Sequence, residues 1–122
     1  MDADLIINIT SAGAFPVLEL SGEVDAYTCS QFRDALIKTL DQDSHNLIID
    51  MDKVEYIDSS GLGALVGGLK RSSEKNGQIY IVCNNPQVAK VFEITGLCRV
   101  FPVYSNLDEA KDALAKNTEA VA

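Results

Sequence analysis

The chain has no tryptophan, one histidine and three cysteines, and its 10 lysines and arginines are outnumbered by 18 aspartates and glutamates. Each shortage closes off a class of function. A formal charge of -8 disfavours nucleic acid as a partner, because a phosphate backbone needs a basic footprint. The same charge suits solubility, or a basic partner surface, and sensitises the protein to further negative charge. No apolar run approaches the roughly 20 residues a membrane span needs, and MDADLIINIT is acidic where a secretory signal is basic. A cytoplasmic protein with no membrane association is the simplest expectation. Cys29, Cys83 and Cys98 are odd in number and far apart. They fit reduced thiols packed as small apolar groups better than a disulfide framework or a metal site.

What is present is an ordinary globular composition, 122 residues and 47% hydrophobic, enough for one domain that buries roughly two-thirds of its unfolded surface. Leu5–Ile9 and Phe15–Leu20 are apolar runs of strand length, and Ser11-Ala12-Gly13 between them predicts a hairpin. Ser21–Asp25, small and acidic, reads as the loop that ends the second strand, with Asp25 or Thr28 available to cap the next helix. From Tyr27 to Leu40 the apolar residues Cys29, Phe32, Leu36 and Leu40 recur at helical spacing. After a polar connection over Asp41–Asn46, Leu47-Ile48-Ile49 has the continuous apolar character of a central strand buried on both faces.

Val54 and Tyr56-Ile57 lead over that strand's end into Asp58-Ser59-Ser60-Gly61. Leu62, Leu65, Val66 and Leu69 then form one stripe of a helix ending near Asn76-Gly77, where Gly77 is expected in the left-handed conformation. Gly61, Gly63, Gly67 and Gly68 oppose that helix by up to about 1 kcal/mol each, and close packing on the sheet is the expected reason for Gly67 and Gly68. Ile79–Cys83 predicts another strand, and Asn84-Asn85-Pro86 opens a helix that Thr95-Gly96 ends. Val100-Phe101 reads as an edge strand stopped by Pro102. Leu107, Ala110 and Leu114 mark a last helix, started by Ser105 or Asn106, and Asn117–Ala122 is expected as a frayed tail. The alternation predicts an α/β fold with a mixed sheet of four to five strands, parallel in its later part, and about four packed helices. Functional residues in such sheets gather outside the carboxyl ends of the strands, where the Asp58 turn lies.

Catalytic constellations are scarce. His45 is expected at the end of the fold opposite Ser59, which disfavours a Ser-His-Asp triad. A nucleophile elbow needs glycine two residues before the serine, and Ile57 and Asp58 stand there instead. The Walker lysine is absent, and Gly61-Leu62-Gly63 is followed by Val66 where the dinucleotide fingerprint needs glycine. No cofactor is expected, and a weak nucleotide site remains an alternative. What survives is an excess of polar groups: Asp58, Ser59 and Ser60 share the N', N-cap and N1 positions, although a cap worth about 0.5–2 kcal/mol needs only one of them. The surplus hydroxyls sit where backbone N–H groups and a helix dipole favour phosphate, which would add about -1.5 to -2 charge without disturbing the fold.

Val54-Glu55-Tyr56-Ile57-Asp58-Ser59-Ser60-Gly61-Leu62-Gly63, with Leu20-Ser21-Gly22-Glu23-Val24-Asp25 and Phe92-Glu93-Ile94-Thr95-Gly96-Leu97, resembles the bacterial anti-sigma factor antagonists of the STAS-domain family. The likeness spans about Asp4 to Ala115, and implies a single STAS domain over residues 1–116 with a flexible tail over 117–122. It also implies partner switching: the unphosphorylated protein binds an anti-sigma factor that is a serine kinase, which frees the sigma factor. Phosphorylation of Ser59 then dissolves the complex and a PP2C-type phosphatase restores it. In this resemblance Asp58, Ser60, Gly61, Leu62 and Gly63 form the partner-binding surface around Ser59, and Ser21, Gly22, Glu23 and Asp25 form its second part. The protein is thereby expected to be a substrate and not an enzyme. A non-catalytic STAS subunit of a stress-signalling or transport complex is the other reading the family allows.

Overall fold

The computed structural model describes residues 5–42 and 45–121. Its elements are β1 (Leu5–Ala12), β2 (Phe15–Val24), α1 (Cys29–Leu40), β3 (Leu47–Ile57), α2 (Ser59–Ser73), β4 (Ile79–Val82), α3 (Pro86–Ile94), a turn of 3-10 helix (Leu97–Arg99), β5 (Val103–Tyr104) and α4 (Leu107–Val121). The strands lie in sequence order in one sheet. β1 and β2 form an antiparallel hairpin and every later pairing is parallel. Consecutive parallel strands joined by crossovers of one hand put their helices on one face. Accordingly Phe32, Leu36, Leu65, Val88 and Phe92 from α1, α2 and α3 share a core with Leu18, Leu20, Ile49 and Ile81 of the sheet. On the other face, α4 buries Ala110 and Leu114 against Val17, Ile48 and Tyr80.

Several expectations shift, each for a local reason. Ser21–Val24 is not a loop: β2 continues to Val24, paired with β1 on one side and β3 on the other. Two irregularities in the β2–β3 register, between Glu19 and Ser21 and between Gly22 and Glu23, absorb the small residues. β3 runs unbroken from Leu47 to Ile57. Only Leu47–Asp50 pairs with β4, whereas the pairing with β2 reaches Ile57. β3 therefore overhangs its neighbour and carries the Asp58 turn beyond the end of β4.

The buried side of α2 is Gly61, Ala64, Leu65, Gly68 and Ser72, rotated from the predicted stripe, and Val66 is exposed. Gly61 causes the rotation: a Cβ there would lie 2.7 Å from Val24 Cγ1 and 2.8 Å from the Val24 carbonyl oxygen. The helix seats itself by its smallest residue. Gly68 packs under Leu36, but a Cβ on Gly67 would meet nothing within 4 Å, contrary to the packing role expected for it. At the far end Asn76, not Gly77, takes the left-handed conformation, with φ 61°. Gly77 is needed instead for space, since a Cβ there would collide with the His45 carbonyl group.

The last strand follows Pro102 rather than preceding it. The Pro102 carbonyl accepts from Ile81 N at 2.9 Å, and Phe101 turns inward to meet Phe92 edge-on, with ring centroids 6.2 Å apart. α4 continues to Val121 through the segment expected as a tail. Its last turns hold because Thr118 Oγ1 donates to the Leu114 carbonyl at 3.0 Å and the Asn117 amide donates to the Tyr80 hydroxyl. Ala122 lies outside the described residues. Cys83 is buried, and burial pushes its thiol pKa up, as suits an inert packed group. Cys29 is half-buried and Cys98 exposed.

A substitution tests the close approach at Gly77. Gly77→Ala forces its new methyl group against the backbone at His45 and is expected to cost about 1–3 kcal/mol of stability, read as a lower urea midpoint with an unchanged slope.

Candidate functional site

The site forms where the overhanging end of β3 turns into α2. Asp58 is the N-cap, extended at φ -114° and ψ -172°, and its carboxylate accepts from Ser60 N at 2.9 Å and Gly61 N at 3.1 Å. Its own N–H donates to the Val24 carbonyl at 3.1 Å, and its carbonyl accepts from Leu62 N at 3.0 Å. One residue thus fills the cap and ties it to the end of β2. Ser59 and Ser60 become N1 and N2, released from capping. Ser59 is exposed, and among the described residues nothing hydrogen-bonds its hydroxyl. A free primary alcohol stands at the positive end of a 15-residue helix.

The one histidine lies far from that alcohol. Ser72 Oγ, near the end of α2, donates to the His45 carbonyl at 2.7 Å. That places the histidine about 20 Å from Ser59 along the helix. Among the described residues no group of three His, Cys, Asp or Glu side chains is placed to hold a metal ion.

Beside this turn lies the connection from β2 to α1. Asp25 Oδ1 accepts from Tyr27 N at 2.9 Å and Thr28 N at 3.1 Å, while Thr28 Oγ1 donates to the Glu23 carbonyl at 2.8 Å. The Asp58–Val24 bond joins the two segments, so Glu23, Asp25, Asp58 and Ser60 share one edge of the fold with Ser59. Gly63 is exposed on the first turns of α2 and Leu62 is half-buried against the core. Gly61 is buried and its role is packing. Gly22 stands in the strand with φ 118°. Ser21 alternates with the core residues Leu20 and Val24, so it faces the opposite side of the sheet. There it lines a separate hollow of about 310 Å³ with Glu19, Asp50 and Lys53. The structure does not bring Ser21 to Ser59.

Sequence reasoning passed over two exposed aromatics on the same edge, Tyr27 at 92% and Tyr56 at 50% exposure. Tyr56 stands opposite Glu23 in the β2–β3 ladder. The signal for Tyr56 was available: it sits one residue from buried Ile57 on a strand and so points away from that core. Asn85 supports the overhang, its amide donating to the Val54 carbonyl at 3.1 Å.

In the second hollow, burial holds the Asp50 carboxyl above the usual carboxylate range, the Asp52 N–H opposes this, and the Asp52 and Glu19 charges add to it. An acid whose pKa is raised by folding stabilises the fold only while protonated. That contribution is complete below the ordinary carboxylate range and is lost as pH rises through the raised value. Asp50→Asn is expected to abolish the loss, seen as a flatter profile of thermal midpoint against pH. At the cap, Asp58→Ala is expected to lower stability by about 1 kcal/mol and Asp58→Asn by less, read by chemical denaturation.

Three comparisons bear on this geometry. The STAS domain model matches residues 7–110. The anti-sigma-B factor antagonist of Staphylococcus aureus is 31% identical over 94 residues, which is 77% of this chain and 87% of that protein. An anti-sigma factor antagonist from Mycobacterium paratuberculosis superposes with a TM-score of 0.86 at 25% identity, covering 94% of this chain and 97% of that one. SpoIIAA in its unphosphorylated form shares the fold with a TM-score of 0.77 at 23% identity, over 91% of this chain and 97% of its own. The Bacillus SpoIIAA in its phosphorylated form gives 0.68 at 23% identity, over 88% and 98%. With a STAS sheet, four helices and an Asp-Ser-Ser-Gly turn at the head of α2, the chain belongs to the STAS-domain family of bacterial anti-sigma factor antagonists.

Proposed function

We propose that this antagonist is a phosphorylation-controlled binding protein of the cytoplasm, and that Ser59 is its switch. Unphosphorylated, it binds an anti-sigma factor that has serine kinase activity and so releases a sigma factor. The kinase transfers a phosphoryl group to Ser59 and the complex separates. A PP2C-type phosphatase returns the protein to its binding state. ATP belongs to the kinase, and the chain is a substrate without catalytic work of its own.

The observation that carries this reading is the division of labour at the turn. Asp58 alone satisfies the Ser60 and Gly61 amides, which leaves Ser59 exposed. A phosphate there adds about -1.5 to -2 charge next to the Asp58 carboxylate, which already occupies two of the amides that would welcome an anion. The phosphate is thus poorly compensated from within the chain and is presented to whatever approaches. Glu23, Asp25 and Glu55 lie nearby in the sequence segments that meet at this edge, so the local field turns strongly negative. A partner fitted to the unmodified surface then meets an unpaired dianion. Such an uncompensated interface charge costs several kcal/mol of affinity. The shared fold is known in SpoIIAA both with and without phosphate, which supports a modification that such a fold tolerates.

Incubation with the cognate kinase and ATP provides the test. Ser59→Ala is expected to take up no phosphate and to keep its affinity for the kinase, whereas Ser59→Asp is expected to bind at least about tenfold more weakly, near 1.4 kcal/mol. Phosphate on the Ser59→Ala protein would sink the assignment and point to Ser60. Intact-mass measurement on protein from its native host is expected to show a fraction heavier by one phosphate group.

A further inference from the structure

Between α1 and α2 runs an open groove of about 580 Å³. Its floor includes Gly63 and Gly67, its rim carries Arg33 and Lys70, and Ser60 closes the end beside Ser59. The two glycines stand four residues apart on the exposed side of α2, and a Cβ on either would meet nothing within 4 Å. Each disfavours the helix relative to alanine. Gly61 is required by packing inside the chain and Gly68 lies tight under Leu36; Gly63 and Gly67 have no such neighbour.

Charge adds an independent observation. Arg71, at the groove's far end, is held by Asp41 through two hydrogen bonds of 2.9 Å. Arg33 and Lys70 have no ion-pair partner among the described residues. Glu74 is the one carboxylate lining the groove among those residues. In a chain of formal charge -8, the lining of this cleft carries Arg33, Lys70 and Arg71 against the single carboxylate of Glu74.

We propose that the groove is the seat of an acidic helix of the anti-sigma factor, a proposal that rests on the partner-switching reading above. A helix laid along Gly63 and Gly67 reaches the short end of the roughly 8–10 Å interaxial range, because no Cβ holds it off. Its carboxylates meet Arg33 and Lys70. A phosphate on Ser59, adjacent to Ser60 at the groove's mouth, sets a like charge beside that helix. Phosphorylation therefore opposes the partner at this basic groove, in addition to any binding it disrupts at the turn itself.

The test is a binding titration with the anti-sigma factor kinase encoded by the same genome. Gly67→Ala is expected to raise the thermal midpoint by about 2–5 °C while weakening the complex, a combination that damage to the fold does not produce. Gly67→Leu, and Arg33→Glu combined with Lys70→Glu, are each expected to weaken it about tenfold or more, the charge pair also flattening its salt dependence. Lys116→Glu, on α4 across the sheet, should leave binding unchanged. A wild-type complex indifferent to all the groove variants overturns the groove assignment alone. A wild-type chain that forms no complex with that kinase overturns the partner-switching reading, and the groove assignment with it.

Discussion

The carboxylate of Asp58 is the interaction on which the site depends. It accepts from two backbone amides of the first turn of α2, while the backbone N–H of the same residue donates to the Val24 carbonyl at the end of β2. Helix, parallel strand pair and turn are locked by one residue, its side chain holding the helix and its backbone N–H the strand. Were the cap a serine, one hydroxyl would be committed to the backbone and the turn would present a different group. Because aspartate takes the role, the Ser59 hydroxyl has no hydrogen-bonding duty among the described residues, which is what lets the proposed phosphate be added without breaking the cap.

Gly61 complements that cap from the other side. Its missing Cβ lets the helix settle against Val24 and Ile57, the last pair of the β2–β3 ladder. The same seating turns Gly63 and Gly67 outward and opens the cleft toward α1. Packing at one glycine and exposure at two others are thus one geometric fact. Further along, Ser72 and Gly77 clamp the end of α2 to the His45 carbonyl, so the helix is fixed at both ends.

The Asp58 turn, the alternation of strands and helices and the central β3 are legible in the chain, because apolar periodicity and turn chemistry are local properties. The stripe on α2 is not. Leu62, Leu65, Val66 and Leu69 satisfy helical spacing, yet a glycine buried against a strand outweighs a leucine that can lie half-exposed, and glycine carries no hydropathic signal. Ser21–Val24 resembles a loop because small polar residues are rare in strands, and only pairing on both sides reveals bulges. Asn76 and Gly77 exchange roles for a tertiary reason, the nearness of His45, which no local pattern encodes. Tyr27 and Tyr56 are legible in principle, but aromatic residues next to predicted elements are usually assigned to cores.

The double clamping of α2 also bears on how information is stored. A helix pinned at its cap by Asp58 and Val24, and at its end by His45, holds the surface beside Ser59 in a fixed shape, so little ordering is left to be done when a partner arrives. Under the switch proposed for Ser59, the state of the protein is written in a covalent bond. It persists after the writer has left, and it fades at the pace of an eraser rather than of molecular motion.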